Sequence, residues 1–376
     1  MGAAIYLDDA ATTALDQRVL DAMMPWMGET RPGNPHARHH GHGNAAHHAV
    51  QVARGQIADA IGAKAEQIIF TSGATEANHL ALRGLRHHLR STGRMHIITT
   101  AVEHSSLLSV MDELRADGFA ITILPVQKCG MIEADMIAPA ITPQTGLVVV
   151  QAVNNELGVI QPIDEIAAML QGRGILFHVD AAQGLGRIPV DLNAWNADFI
   201  SLSAHKIHGP QGVGALYIKD AGLLYVMSGG QEQGLRAGTL PVAQCVGFGA
   251  ACTLINHDRE WLQKLREDFL ARLAPLNPVV HGHVDPVWNV PGILNLRFPG
   301  IDQETLVMVL PELSFGTGSA CTAGPSHVIT AIAGADAAGE AIRLSFGRMT
   351  SQEDLTKAAE MFLSAITEIK TMQEAA

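Results

Sequence analysis

Cysteine is scarce. The 376 residues hold four, at positions 129, 245, 252 and 321, with no C-x-x-C pair among them. That spacing suits neither a disulfide framework nor a zinc site, and it points to a reducing compartment, with the cytoplasm as the expectation. Long apolar runs are missing as well. Leu147-Val148-Val149-Val150 is strand-sized, far short of the roughly 20 residues a helix needs to cross a bilayer, so no membrane partner is expected. Positive charge is in deficit: 25 Lys and Arg against 37 Asp and Glu leave a formal net charge of −12. A broad nucleic-acid-binding face, and with it strong direct nucleic-acid binding, is therefore not expected. The stretch from Met1 to Ala10 has two Asp and no basic residues, unlike a secretory leader. No internal repeat or low-complexity tract is present.

What is there is a large apolar fraction, 47% of residues, enough to build two cores of unequal size. From about residue 50 to 220, helix-period segments alternate with short β-rich runs. Val50–Ile61, Thr75–Leu89 and Ser105–Asp117 read as helices. Residues 67–70, 96–100, 120–125, 146–152, 175–179, 199–202 and 215–218 read as strands. Strands spaced by helix-length intervals indicate an α/β domain with a mainly parallel sheet. After about residue 245 the pattern changes to one long helix over 246–273, a strand over 292–298 and a helix over 303–310. A Gly/Ser loop around Cys321, a strand over 341–345 and a helix from 352 to about 371 follow. This second part reads as a smaller α+β domain, joined by the N-terminal segment.

The most informative segment is Ser201-Leu202-Ser203-Ala204-His205-Lys206-Ile207-His208-Gly209-Pro210. A lysine held in a Ser/His/Gly loop after a strand is what a Schiff-base enzyme needs, since the amine must be fixed and able to act as nucleophile and base. Alone, a loop lysine is usually a solvated charge; its neighbours change the odds. His178-Val179-Asp180-Ala181-Ala182-Gln183 puts an Asp at a strand's C-terminal end, where it can keep a pyridine nitrogen protonated or simply cap a helix. Thr71-Ser72-Gly73-Ala74-Thr75-Glu76-Ala77-Asn78 is a small-residue turn opening a helix, suited to a phosphate, though an ordinary N-cap would look similar. Glu103-His104 follows a strand, where an imidazole can stack on a flat ring. All four lie at carboxyl ends of strands, the place where open α/β sheets bind ligands.

The ordered series of motifs resembles the NifS/IscS-type cysteine desulfurases, class-V, fold-type-I pyridoxal-phosphate enzymes. The resemblance runs from Tyr6-Leu7-Asp8-Asp9-Ala10-Ala11-Thr12-Thr13 through Val153-Asn154-Asn155-Glu156-Leu157-Gly158 and Arg236-Ala237-Gly238-Thr239-Leu240-Pro241. It continues in Gly318-Ser319-Ala320-Cys321-Thr322 and ends at Ile342-Arg343-Leu344-Ser345-Phe346-Gly347-Arg348. It implies a seven-stranded, mainly parallel sheet in a large pyridoxal 5'-phosphate-binding domain over 14–248, and a small α+β domain from 1–13 and 249–376 carrying the cysteine loop. Lys206 would bond covalently to the cofactor and later move the substrate Cα proton. Asp180 would bind the pyridine nitrogen, Gln183 the phenolic oxygen, and His104 would stack on the ring. Ala74, Thr75, Ser203 and His205 would hold the phosphate, and Thr239 would reach the phosphate of the other subunit in a homodimer. Asn155 and Arg343 would orient L-cysteine, the arginine by a two-pronged grip on its carboxylate. The Cys321 thiolate would take the substrate sulfur as a persulfide, leaving L-alanine, and pass it to an acceptor or scaffold protein. Iron–sulfur assembly, tRNA thiolation and DNA phosphorothioation are all destinations served by this enzyme type.

Two departures from the family pattern stand out. The loop after Cys321 and the stretch between Lys219 and Gln231 both look shortened, so an ordered loop that keeps Cys321 near the cofactor and limits delivery is expected. Histidines at 36, 39, 40, 42, 47 and 48 have no accompanying carboxylate or cysteine; they read as solvated loop residues, and no metal is expected. Three alternatives are an aminotransferase or lyase of the same fold, an added selenocysteine activity, and a non-catalytic docking protein. Cys321 argues against the first, and the joint presence of Lys206, Asp180, His104 and Cys321 against the last.

Overall fold

The computed structural model describes residues 4–28, 33–226, 230–256, 259–317 and 324–375. The strands are β1 (Ile5–Tyr6), β2 (Ile68–Thr71), β3 (His96–Thr100), β4 (Ala120–Leu124), β5 (Thr145–Gln151), β6 (Leu176–Asp180), β7 (Phe199–Ser203), β8 (Gly214–Ile218), β9 (Val279–His281), β10 (Ile293–Arg297), β11 (Leu313–Ser314) and β12 (Ala341–Ser345). Seven of them form one sheet in the order β2-β8-β7-β6-β5-β3-β4. The pairs from β7 through β6, β5 and β3 to β4 are parallel, and β8 runs antiparallel to both β7 and β2. The mainly parallel α/β fold expected from the alternating pattern is the observed one.

A parallel sheet covered on both faces needs strands that are apolar throughout. β5 meets that demand, being buried along its whole length. Its alternation sends Val148 and Val150 to one face and Leu147 and Val149 to the other. The first face packs beneath the helices Gly41–Ile61 and Val242–Thr253, through residues such as Ile57, Ile61 and Phe248. The second packs beneath Ala74–Gly84 and Ser105–Ala116, through Ala81, Leu82, Val110 and Leu114. A separate core forms on the antiparallel sheet β12-β10-β9. Leu294, Leu296 and Leu344 of this sheet, with Phe346 just past β12, pack against Phe269 and Leu273 of helix Arg259–Leu273 and Phe362 of helix Gln352–Ala375. Leu7, from the N-terminal segment, joins this smaller core.

Three local expectations are corrected. The helix read over 246–273 is two, Val242–Thr253 and Arg259–Leu273. The first packs on Gly41–Ile61 beside the large sheet and the second on Gln352–Ala375 in the small core, so the chain changes cores at the break. There Arg348 Nη1 donates to the Leu254 carbonyl at 3.1 Å. The helix read over Thr75–Leu89 is also two, Ala74–Gly84 and Arg86–Ser91. The histidine-rich segment is partly helical: helix Gly41–Ile61 contains His42, His47 and His48, and His40 caps it by accepting from the Gly43 N–H at 3.1 Å. Among the described residues no group of three or more His, Cys, Asp or Glu is placed to hold a metal. No described helix is long and apolar enough to cross a membrane.

Candidate active site

Strands β2, β3, β6 and β7 end on one side of the large sheet, and the turns that follow them wall a cavity of about 470 Å³, within the range of a cofactor site. The cavity brings together ten residues singled out in the sequence: Ala74, Thr75, His104, Asn155, Asp180, Gln183, Ser203, His205, Lys206 and Arg343. Thr239 is exposed and lies outside it. Cys321, and with it the expectation of an ordered short loop, falls outside the described residues.

Lys206 ends the single 3₁₀ turn Ala204–Lys206 that follows β7. Its Nζ donates to the Ala10 carbonyl at 2.6 Å and the Ala11 carbonyl at 2.7 Å, so the amine is held by backbone acceptors of the N-terminal segment. Next to it, burial and the Lys206 charge push the His205 imidazole down to about 4, and its Nδ1 lies 3.1 Å from Thr12 Oγ1. Helix Ala74–Gly84 begins after Gly73 with no side-chain cap, which leaves its first N–H groups and positive dipole end for a ligand. The turn sits tight on β8: a Cβ at Gly214 would lie 2.6 Å from Gly73 Cα. The Ser203 hydroxyl is buried and has no partner. A buried donor without an acceptor is costly, and its presence in the cavity wall marks where an acceptor belongs.

Asp180, at the end of β6, is buried and accepts from Asn78 Nδ2 at 2.8 Å and the Ala182 N–H at 2.9 Å. His104 caps helix Ser105–Ala116, its Nδ1 accepting from the Ser106 N–H at 3.1 Å; burial lowers its pKa. Behind it, burial pushes the Glu103 carboxyl up to about 8, where it accepts from Thr100 Oγ1 and the Gln151 N–H. Gln183 Nε2 donates to the Ala10 carbonyl at 2.8 Å.

Arg343 comes from the small sheet, on β12, and is buried. Its Nη2 pairs with Asp8 Oδ1 at 2.7 Å and its Nη1 donates to the Asn155 carbonyl at 3.2 Å, while Nε has no partner. The guanidinium is thus fixed by two contacts, with its Nε–H and one hydrogen on each Nη left over, the disposition for gripping a carboxylate. Of the described cysteines, Cys245 and Cys252 are buried, with thiols pushed well above the ordinary range, the former to about 12. Neither is a nucleophile near neutral pH.

Sequence reasoning missed Asp8 and Asn78, though both stand inside segments it singled out. The ion pair of Asp8 with Arg343 joins residues 335 apart, which no local pattern reports. Asn78 lies one turn into a helix whose opening drew the attention, and an amide four residues past a phosphate-type turn carries no signal of its own.

The class-V aminotransferase family matches residues 5–357. The mitochondrial cysteine desulfurase of Arabidopsis thaliana is 42% identical over 385 residues, covering 99% of this chain and 84% of the relative. The chain belongs to the cysteine desulfurase branch of the class-V aminotransferases. Among solved structures of this type, a NifS-like protein superposes with a TM-score of 0.88 at 31% identity, covering 98% of this chain and 100% of its own. SspA in complex with cysteine superposes at 0.81 with 34% identity, covering 91% and 98%. The cytoplasmic expectation is corrected by the Arabidopsis relative, which is mitochondrial. Few and unpaired cysteines report a reducing environment and do not tell one such compartment from another.

Proposed function

We propose that this protein is a pyridoxal 5'-phosphate-dependent cysteine desulfurase that converts L-cysteine to L-alanine and holds the sulfur on Cys321 as a persulfide, for delivery to an acceptor protein. The observation that carries the proposal is the Lys206 amine in one cavity with the partnerless Ser203 hydroxyl, the uncapped start of helix Ala74–Gly84 and the spare donors of Arg343. The cofactor's chemistry fits this donor set. The Ser203 hydroxyl and the helix start at Ala74 and Thr75 would hold its phosphate, Asp180 its ring nitrogen, and the second amide hydrogen of Gln183 its phenolic oxygen. His104 would stack on its ring and His205 would line the phosphate.

When bound, pyridoxal phosphate supplies a sink for the electron pair left as a proton departs from the substrate Cα. The rest is done by this chain. Arg343 and Asn155 hold the cysteine carboxylate and fix which bond at Cα faces Lys206. Lys206 takes the Cα proton and returns one when alanine forms. His205, which burial and the Lys206 charge push down to about 4 in the free chain, would line the phosphate beside the helix start and the hydroxyl. The Cys321 thiolate attacks the substrate sulfur, and the carbon–sulfur bond breaks toward the substrate carbon; one thiol and one cysteine become one persulfide and one alanine.

We further propose the domain division 14–248 and 1–13 with 249–376, and a homodimer in which the exposed Thr239 reaches the phosphate of the other subunit. The two separate hydrophobic cores support the former. The test is to purify the protein, load it with pyridoxal phosphate and follow alanine, sulfide and persulfide on cysteine addition. Visible absorbance that disappears in Lys206→Ala is expected; a wild type that takes up no cofactor overturns the proposal.

A further inference from the structure

Asn78 is completely buried, at 0% exposure, and both ends of its amide are engaged. Nδ2 donates to Asp180 Oδ2 at 2.8 Å and to Ser106 Oγ at 3.3 Å, while Oδ1 lies 2.9 Å from His178 Nε2. His178 and Asp180 are alternate residues of β6, so the strand's two-residue period turns both toward the same helix face. We propose that Asn78 is a positioning residue that fixes two polar groups of the cofactor site at once, aiming Asp180 with one amide hydrogen and His104, through Ser106, with the other. The inference rests on the pyridoxal-phosphate reading above and extends it to a residue outside the cavity.

The hydrogen-bond directions around this amide are determined by its neighbours. Asp180 accepts from the Ala182 N–H at 2.9 Å, and a carboxylate oxygen facing Asn78 requires the NH₂ end of the amide there, so the carbonyl end must face His178. His178 therefore carries its proton on Nε2. Its Nδ1 is buried and partnerless, which leaves no place for a second proton, and burial holds this imidazole down at about 3. On the other branch, Ser106 Oγ accepts from Asn78 and so directs its own hydrogen to His104 Nδ1, 2.9 Å away. The Ser106 N–H already donates to that same nitrogen. His104 Nδ1 is thereby an acceptor twice over, and the ring's proton is placed on Nε2. The chain from His178 through Asn78 to Asp180 and His104 runs in one direction and offers Asp180 donors but no mobile proton. An Asp held by such donors is kept aimed, as a partner for a protonated ring nitrogen must be.

Asn78→Asp keeps the shape and removes both donors. Two carboxylates at the 2.8 Å separation now occupied by the amide must share a proton, which weakens Asp180 as an anion and strands Ser106. The experiment measures the pyridoxal-phosphate Kd on apo-protein, the balance of the cofactor's absorption bands at fixed pH, and the apo melting temperature. Expected for Asn78→Asp are a weakening of at least about tenfold, the scale on which residues supporting a bound group act, and a shift of the bands away from the ring-protonated form, with apo melting near wild type. Asn78→Ser, whose single hydroxyl can donate to only one neighbour, serves if Asn78→Asp does not fold, with the same direction expected. Ser106→Ala should keep the wild-type band balance, because Asp180 retains its donor. A folded Asn78 variant with wild-type Kd and bands overturns the inference while leaving the pyridoxal-phosphate reading intact. A wild type that binds no cofactor overturns both.

Discussion

Replacing Arg343 by lysine isolates the substrate grip from the rest of the site. The arginine pairs with Asp8 at 2.7 Å, donates to the Asn155 carbonyl at 3.2 Å and keeps its buried Nε without a partner. Lysine preserves the charge and can preserve the Asp8 contact, but it cannot present a planar fork. The loss is one charge-assisted hydrogen bond to the cysteine carboxylate, about 2 kcal/mol or roughly 30-fold in kcat/KM. A carboxylate is bound alike before and during the reaction, so the change belongs mainly in KM, with kcat moving little. Steady-state alanine formation across a cysteine series reads both parameters, and a pyridoxal-phosphate titration of the same variant should match wild type, since the cofactor's partners are untouched. An unchanged KM would refute the assignment of Arg343. A large loss of cofactor binding would show instead that the Asp8 pair holds the cavity together.

Three other outcomes are expected. Cys321→Ser should bind pyridoxal phosphate and cysteine yet form almost no alanine or persulfide, as read by product assay and mass spectrometry; turnover at the wild-type rate would shift suspicion to Cys129, the half-buried thiol. Gly214→Ala should cost about 1–3 kcal/mol in unfolding free energy and weaken cofactor binding, because the new Cβ would sit 2.6 Å from Gly73 Cα in the turn proposed to hold the phosphate; urea titration and a cofactor Kd check both. The apo-protein should be most stable near pH 6.5–7. Glu103, raised to about 8, takes its proton in the folded state before the unfolded one, so stability rises as pH falls from 8. Below the ordinary histidine value of 6.5 the unfolded chain takes protons that folded His178 (about 3), His205 and His208 (about 4) refuse. Three such groups outweigh Glu103 and Asp9, whose carboxyl burial raises to about 6, and stability should fall by about one group's slope, about 1.4 kcal/mol per pH unit. A melting temperature flat from pH 7 to 5 would contradict this.

How much of the site was legible depends on how far apart its partners lie in sequence. Lys206, Ser203 and His205 come from one turn, and a motif could mark all three. Asp180 could be marked because a strand end gives an acidic residue a defined place. The orientation of Asp180 could not, because it depends on an amide 102 residues earlier. The helix break after Thr253 was invisible for a related reason: Val242–Thr253 and Arg259–Leu273 both carry apolar residues at helical spacing, and periodicity reports that a face is buried without reporting against which core. The alternation of β5 was legible because each of its two faces is apolar in its own right. The start of helix Gly41–Ile61 was not, since its first turns expose His42 and His48 and its apolar stripe begins only with Ala46 and Val50.

The placement of the cavity between two cores has a mechanistic consequence. Asp180 and Ser203 end strands of the large sheet and Lys206 ends the turn that follows β7, whereas Arg343 stands on β12 of the small one. The N-terminal segment belongs to the small core through Leu7, yet its Ala10 and Ala11 carbonyls hold the Lys206 amine and its Asp8 holds Arg343. One short stretch of chain therefore ties together the group proposed to grip a carboxylate and the group proposed to move a proton. An amino acid gripped by Arg343 would have its Cα carried toward Lys206 by the packing of two cores, a geometry that would lower the entropic cost of reaction. Perturbations at Leu7 should then reach catalysis without touching a single reacting atom. Leu7→Ala removes a fully buried side chain, and at about 2–5 kcal/mol of stability it should loosen Asp8 and the Ala10 carbonyl together. The expected result is a fall in kcat along with a rise in KM for cysteine, in protein that still takes up pyridoxal phosphate. A variant that loses stability but keeps both constants would show that the segment is merely packed against the site and does not set its spacing.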